Sequence, residues 1–283
     1  MQVQVRSTLR SVEQNEARRG AALARLGATA VDEYLRGIAD YAEAYAEHPE
    51  VVDGAVRRDE RAVRVTLGRL IRGNPRVDRT FVTDSSGIEW SDYPSDPAVI
   101  GKSFAFRDWF RGVSSGETTY VSSSYHRMAG QQERSIAIAT PIRSDGRRIV
   151  GYLVAQVLVS SLERQLAQPV RPDSGGIVVI DRDRTIVTKL GFPPGSDPAP
   201  ALTALVRAKD GAGSLETIRI GGAPYLVASA PSPALGGRVL SLRSLHAALA
   251  PARTMERVVY LLAALIALLL ALFVTAMIER RSR

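Results

Sequence analysis

From Val258 to Ile278 the chain reads VVYLLAALIALLLALFVTAMI, 21 residues without a charge. At ~1.5 Å rise per residue, a helix of that length covers about 30 Å, the hydrocarbon thickness of a bilayer. The helix of a globular core carries its apolar residues on one stripe, whereas this run is apolar all round. It reads as a transmembrane helix, closed by Arg257 on one side and by Glu279, Arg280, Arg281 and Arg283 on the other. A span at 258–278 puts the folded mass ahead of it, as a domain on a C-terminal tether.

Composition removes several classes of function. The absence of cysteine excludes disulfides and thiolate metal sites. His48, His126 and His246 are too scattered to suggest a zinc site by spacing. The net charge is +8, and of 37 basic residues only Lys102, Lys189 and Lys209 are lysine. Nucleic-acid binding needs clustered charge, and here the arginines alternate with 29 acids along the chain. No nucleic-acid partner is therefore expected. The opening MQVQVRSTLRSVEQNEARRG has no apolar segment of the kind a signal peptide or a first span requires. The expectation is that an upstream segment is missing.

Residues 1–47 contain no proline, and Val31, Leu35, Ile38, Ala42 and Tyr45 step by four, three, four and three. That is a heptad-like stripe on one long helix of up to ~70 Å. The stripe suits packing on the chain's own domain or, as a second reading, a homodimer seam. Pro49 stops the pattern, so Glu47-His48-Pro49-Glu50 reads as its C-terminal cap. A shorter helix is expected over Asp59–Ile71, ended by Gly73-Asn74-Pro75.

Short β-rich runs follow: RTFVTD, IEWSDY, TTYVSSSY, RSIAIATPI and RIVGYLVAQVLV, with a short helix around Arg107–Arg111. Val159–Ala167 reads as helical and leads into a joint at Pro169–Pro172. A second set comprises GIVVID, TIVTK, a helix over Pro200–Lys209, SLETIRI, APYLVASA and RVLSLRSL. A last helix runs from His246 into the span. Phe81–Ile88 and Val178–Ile186 carry the same strand, Asp-led turn and strand, 97 residues apart. Asp heads such turns because its side chain bonds its own backbone two residues on. The fold class is therefore α+β. A helical segment over 1–74 precedes two antiparallel-sheet modules, at 75–168 and 169–250, and then the transmembrane helix.

The residues best suited to bind something lie in the first module. Gly101–Tyr125 gathers Lys102, Arg107, Trp109, Phe110, Tyr120 and Tyr125. Arg offers a planar fork matched to a carboxylate or phosphate, and aromatic side chains supply apolar walls with polar handles. The combination fits a small anionic or zwitterionic ligand. The competing reading makes Trp109 and Phe110 core residues and pairs Arg107 with a neighbouring acid.

The order of these pieces resembles a double Cache sensor domain. It has the long helix, the Asn74-Pro75 turn, FVTDSSG, IGKSFAFRDWF, YVSSSY, IAIATPI and GYLVAQV. The resemblance covers about residues 5–257. It implies two PAS-like modules, a membrane-distal one that holds ligand and a membrane-proximal one. It also implies an extracytoplasmic position at a bacterial plasma (inner) membrane, with residues 1–257 outside and the C-terminus in the cytoplasm. In the amino-acid-binding branch an Arg-x-Trp-Tyr run holds the carboxylate, and a later Tyr and an Asp hold the amine. Arg107 and Trp109 match that run, and Phe110 replaces its Tyr. Tyr120 and Tyr125 are candidates for the later Tyr. Gln156 stands where the Asp is expected and carries no charge to pair with an ammonium; Asp84 or Asp92 could supply one.

Catalytic signatures such as H-E-x-x-H, G-x-S-x-G, a P-loop or a Gly-rich dinucleotide loop do not occur. The expected function is a non-enzymatic, membrane-anchored sensor for a small carboxylate-bearing metabolite, with no cofactor. It would relay its state through the span to a cytoplasmic or membrane signalling partner. The alternatives are the sensory fragment of a longer histidine kinase or chemoreceptor, and a tethered adhesion or structural domain without ligand.

Overall fold

The computed structural model describes residues 2–167, 176–192, 216–220, 222–244 and 265–266, with side chains from residue 14 onward. Helix α1 (Gln2–Ala46) runs 45 residues, about 68 Å at ~1.5 Å per residue. Two shorter helices follow, α2 (Pro49–Arg57) and α3 (Glu60–Gly73). The chain then builds two antiparallel sheets. The first contains β1 (Arg79–Asp84), β2 (Glu89–Tyr93), β3 (Tyr120–Val121), β4 (Tyr125–His126), β5 (Arg134–Ser144) and β6 (Arg148–Leu158). Its order is β2-β1-β6-β5-β3, with β4 also on β5. Helix α4 (Asp108–Ser114) lies between β2 and β3, and α5 (Val159–Ala167) follows β6. The second sheet has β7 (Gly176–Ile180), β8 (Ile186–Leu190), β9 (Glu216–Ile220), β10 (Ala223–Ser232) and β11 (Gly237–Ser244). Its order is β8-β7-β11-β10-β9.

Helix α1 is the common support of both sheets. Its stripe is buried in the chain's own core: Val31, Leu35 and Ile38 are fully buried, with Ala24, Ala28, Ala42 and Ala46 along the same side. The core they enter also contains Ile136, Ile138 and Leu153 of the first sheet and Ile177, Val179 and Val239 of the second. A Cβ on Gly27 would stand 3.1 Å from Val239 and 3.4 Å from Ile177, so glycine lets the helix axis come close to the second sheet. Asp32 of α1 accepts from the Ser232 hydroxyl at 2.6 Å and from the Ala234 amide at 3.1 Å. Glu16 pairs with Arg243. The dimer-seam reading of the Val31–Tyr45 stripe is therefore corrected, because these side chains are committed to the two sheets.

One sequence expectation is extended and another is corrected. Pro49 ends α1 by starting α2. Proline suits the first position of a helix, where its missing N–H would be unpaired in any case. His48 serves both helices: its amide donates to the Tyr45 carbonyl at 3.2 Å at the end of α1, and its Nδ1 accepts from the Glu50 amide at 3.3 Å at the N-terminus of α2. The segment TTYVSSSY is not one strand. It splits into β3 and β4 because the Ser122 hydroxyl turns back onto the Ala137 amide, at 2.8 Å.

The repeated turn is present in both modules. Asp84 Oδ1 accepts from the Ser86 and Ile88 amides, each at 3.0 Å, and Asp181 Oδ1 accepts from Thr185 at 2.9 Å. Backbone bonds from Asp84 to Ile88 (2.9 Å) and from Asp181 to Thr185 (3.0 Å) close the two turns alike. Each turn needs one left-handed residue, Gly87 in the first and Arg184 in the second.

Among the described residues no helix is long and apolar enough to cross a membrane. The expected span at 258–278 lies outside them except for Leu265 and Ile266, which are helical and exposed. The helix expected at 200–209, the joint at 169–172 and the helix from His246 also lie outside them.

The stripe of α1 yields a stability prediction. Leu35→Ala, which opens a void in the core that α1 shares with the sheets, should destabilise by about 2–5 kcal/mol. Leu26→Ala, on the exposed side of the same helix, should stay within about 0.5 kcal/mol of wild type. Chemical denaturation followed by circular dichroism measures both; equal effects would mean that α1 is not packed as described.

Candidate functional site

Side chains alternate across the first sheet, so its two faces have different duties. Val82, Leu153, Ala155 and Val157 face the core shared with α1, while Phe81, Tyr152 and Val154 join a second cluster with Trp109, Phe104 and Val99. Arg79 and Gln156 share that second face. They sit opposite each other in the β1–β6 register, one step beyond the pair Phe81 and Val154 on the same face.

That face and the segments crossing it enclose a small, nearly closed cavity of about 10 Å³, room for about one water. Its polar lining is Arg79, Glu89, Arg107, Tyr125 and Gln156. Its apolar lining comes from Phe81, Val99, Phe104, Met128 and Ala129. Glycine is needed behind it at Gly87, with φ +81°, where a Cβ would stand 2.8 Å from Phe110.

Arg107 precedes the first turn of α4 in extended backbone. Its guanidinium lies 4.1 Å from the Tyr125 ring centroid and 5.0 Å from that of Phe106. One terminal N–H donates to the His126 carbonyl at 3.3 Å, while Nε has no partner. Among the described residues no carboxylate lies within ion-pair distance of it. Gln156 donates from Nε2 to the Tyr125 hydroxyl at 2.8 Å, leaving its Oε1 unpartnered. Burial pushes the Tyr125 hydroxyl up to about 12, so Tyr125 stays a neutral donor.

The acids sit on β2. Asp92, 1% exposed, pairs with Arg79 at 2.5 Å and accepts from the Asp96 amide at 2.9 Å. Glu89 is 2% exposed, and its Oε1 has no partner. Burial raises the Glu89 carboxyl from 4.5 to about 9; Asp92 and, less, Asp96 add to this, and Arg79 opposes it. Glu89 is therefore a neutral acid at ordinary pH, and Arg79 balances Asp92. The cavity carries one uncompensated positive charge, that of Arg107.

Of the residues singled out from sequence, the fold brings Arg107, Tyr125 and Gln156 to the cavity. The others lie elsewhere. Trp109 is fully buried against Phe81, with centroids 5.9 Å apart. Phe110 packs on Tyr152 at 5.4 Å. Tyr120 lies under Arg182 of the second module, with 4.1 Å from guanidinium to ring centroid. Lys102 is exposed and serves Glu89 only through its carbonyl, which accepts the Glu89 amide at 3.0 Å. Sequence reasoning did not single out Arg79 or Glu89. The available signal was a charged residue at the head of each β-rich run, RTFV and EWSD, but their meeting depends on the β1–β2–β6 register.

The strip carrying Tyr125 is held on both sides. The Ser124 amide and hydroxyl donate to Asp181 Oδ2 of the second module at 3.0 and 3.1 Å. Arg134 donates to the Ser124 hydroxyl at 2.8 Å and to the carbonyls of Ile186 and Val187, each at 3.0 Å. On the other side Arg127 pairs with Asp78 and Glu133, and the Gly130 amide donates to Asp96 at 3.1 Å.

The profile of the Cache domain family matches residues 4–252. The chain belongs to the double Cache domain family. Among solved structures, it resembles the ligand-binding domain of the Pseudomonas fluorescens chemoreceptor CtaA in complex with L-isoleucine. The TM-score is 0.66 at 17% identity, over 85% of this chain and 97% of that one. It also resembles the sensory domain of the Campylobacter jejuni chemoreceptor Tlp3 with isoleucine bound, with a TM-score of 0.64 at 14% identity over the same shares. An extracellular ligand binding receptor from Desulfohalobium retbaense matches with a TM-score of 0.55 at 14% identity, over 78% of this chain and 39% of that one. No curated protein matches the chain.

Glu89 gives the Cache domain a pH signature. A carboxyl whose pKa rises on folding binds its proton more tightly in the folded chain, so stability is full below the unfolded value and falls as pH climbs toward the folded one. Wild type should lose stability between about pH 4.5 and 9. Glu89→Gln, which cannot ionise, should flatten that slope. Thermal midpoints of both proteins across the range test this; parallel curves would show that Glu89 is ionised throughout.

Proposed function

We propose that this Cache domain is an extracytoplasmic sensor that binds a small carboxylate-bearing metabolite in the first-module cavity. The observation that carries the reading is a convergence. Arg79 Nε, Glu89 Oε1, Arg107 Nε and Gln156 Oε1 are all buried without a partner, and all four residues line the same cavity. Each such atom costs about 1–3 kcal/mol when left unsatisfied. A ligand that satisfies them recovers that cost, whereas a purely structural or adhesive domain would bear it for nothing. The uncompensated Arg107 favours an anion, and a carboxylate matches its planar fork. The related chemoreceptor domains are in complex with isoleucine, a carboxylate; a ligand of that size enters this cavity, with about 10 Å³ free, only when its lining side chains part.

In this reading residues 75–168 form the distal, ligand-holding module and 169–250 the proximal one, with 1–74 as the helical support. Residues 258–278 anchor the protein in a bacterial plasma membrane and carry the signal inward to a partner. A sensory fragment of a longer kinase or chemoreceptor would use the same cavity in the same way.

Two measurements address the reading. Thermal shift of the full chain in mild detergent, against mono- and dicarboxylates and amino acids, should yield a carboxylate hit. Arg107→Ala should weaken that hit by ~2–5 kcal/mol, the scale of a broken buried charge pair; undiminished affinity would remove Arg107 from the site. For orientation, a C-terminal green fluorescent fusion should glow and an alkaline phosphatase fusion should stay silent, and the reverse pattern would invert the topology.

A further inference from the structure

We infer that the ligand is a 2-hydroxy monocarboxylate with a short apolar chain, recognised by its carboxylate at Arg107 and by its neutral hydroxyl at Gln156. The inference rests on the carboxylate-sensor reading and narrows it.

The charge count comes first. Arg79 is matched by Asp92, and no carboxylate pairs with Arg107 among the described residues. A monoanion therefore neutralises the cavity, and a dicarboxylate brings one charge too many into a buried site. The hydrogen-bond inventory comes next. Gln156 has spent its N–H on Tyr125 and offers Oε1, a neutral acceptor. The Tyr125 hydroxyl, which accepts that N–H, has its own proton uncommitted among the described residues. A ligand hydroxyl is both donor and acceptor, so it can donate to Gln156 and accept from Tyr125. A ligand lacking the group leaves Gln156 Oε1 unpartnered.

An ammonium in the same place lacks a counter-ion. Asp92 is engaged by Arg79 and by the Asp96 amide, and Asp84 is held in its turn by the Ser86 and Ile88 amides and by Arg58 at 3.3 Å. Glu89 could serve only by giving up its proton inside a dry site beside Asp92. Phe81, Val99, Phe104 and Met128 supply the apolar wall for the remaining carbons, and with about 10 Å³ free these side chains must part to admit them.

The test uses three probes on one carbon skeleton: 2-hydroxy-4-methylpentanoate, 4-methylpentanoate and leucine. Titration calorimetry is run on the full chain in mild detergent. The hydroxy acid should bind about tenfold tighter than either other probe, the scale of one hydrogen bond to a group otherwise stranded. Gln156→Leu should abolish the preference for the hydroxy acid over 4-methylpentanoate. Gln156→Glu, which supplies the missing charge, should raise leucine affinity about tenfold relative to the hydroxy acid. Circular dichroism confirms that each variant is folded. Equal affinity for the hydroxy acid and 4-methylpentanoate, or tightest binding of leucine by wild type, overturns the inference but leaves the carboxylate reading standing. Failure of all three probes on folded wild type overturns both.

Discussion

A single helix serving two sheets is the constraint on which the rest of the structure depends. Neither sheet buries its inner face by itself, and α1 supplies the missing layer to both. Its stripe from Ala24 to Ala46 enters one continuous core with residues of β5, β6, β7 and β11. Two polar ties fix the register of that contact: Asp32 with Ser232 and Ala234, and Glu16 with Arg243. A slide of α1 past one sheet would strand Asp32, which is 7% exposed, and burying an unpaired carboxylate is costly. The two modules are thus held at a fixed height along one rod. The opposite face of the first sheet is left free of that duty, and it is the face that can hold polar groups.

Much of this layout was legible in the sequence because the signals were periodic. A proline-free run with a 3.5-residue stripe can only be a long helix, and the strand–Asp turn–strand repeat at 81–88 and 178–186 betrayed two modules of one kind. Local chemistry that has two outcomes was less legible. Pro49 both stops one helix and starts another, and its ring gives no sign of which. Ser122 can continue a strand or fold its hydroxyl onto a neighbour's backbone. The purpose of the α1 stripe was also undecided, since a heptad pattern looks the same against a sheet as against a second helix.

The cavity was half legible for the same physical reason. Arg107, Tyr125 and Gln156 stood out because Arg and aromatics in one run, and a polar residue inside an apolar strand, violate the local pattern. Trp109 and Phe110 stood out equally and turned out to line the hydrophobic cluster behind the site. Glu89 and Arg79 were unreadable, since each takes its meaning from a partner strand. Only the β1–β2–β6 register puts Arg79 beside Asp92 and opposite Gln156, and only burial makes Glu89 a neutral acid. A carboxyl that has lost its charge to burial changes what the cavity asks of a ligand, and a residue list cannot show it.

The placement of Tyr125 connects the cavity to the second module. Its ring stacks on Arg107 and its hydroxyl meets Gln156, so a ligand that engages either group acts on this side chain. The residue before it is clamped to Asp181, and Asp181 heads the turn between β7 and β8. Arg134 reinforces the clamp by reaching Ser124 and two β8 carbonyls at once. A charged group that accepts or donates several bonds resists small displacement more than a neutral one. Tyr125 is thus joined through Ser124 to the β7–β8 turn. The two sheets are thus tied by a second route besides α1, one that runs through the strip carrying Tyr125. The repeated Asp turn then has two uses. In the first module Asp84 closes a hairpin with one oxygen and meets Arg58 with the other, and in the second the matching aspartate, Asp181, gives its other oxygen to Ser124 of the first module.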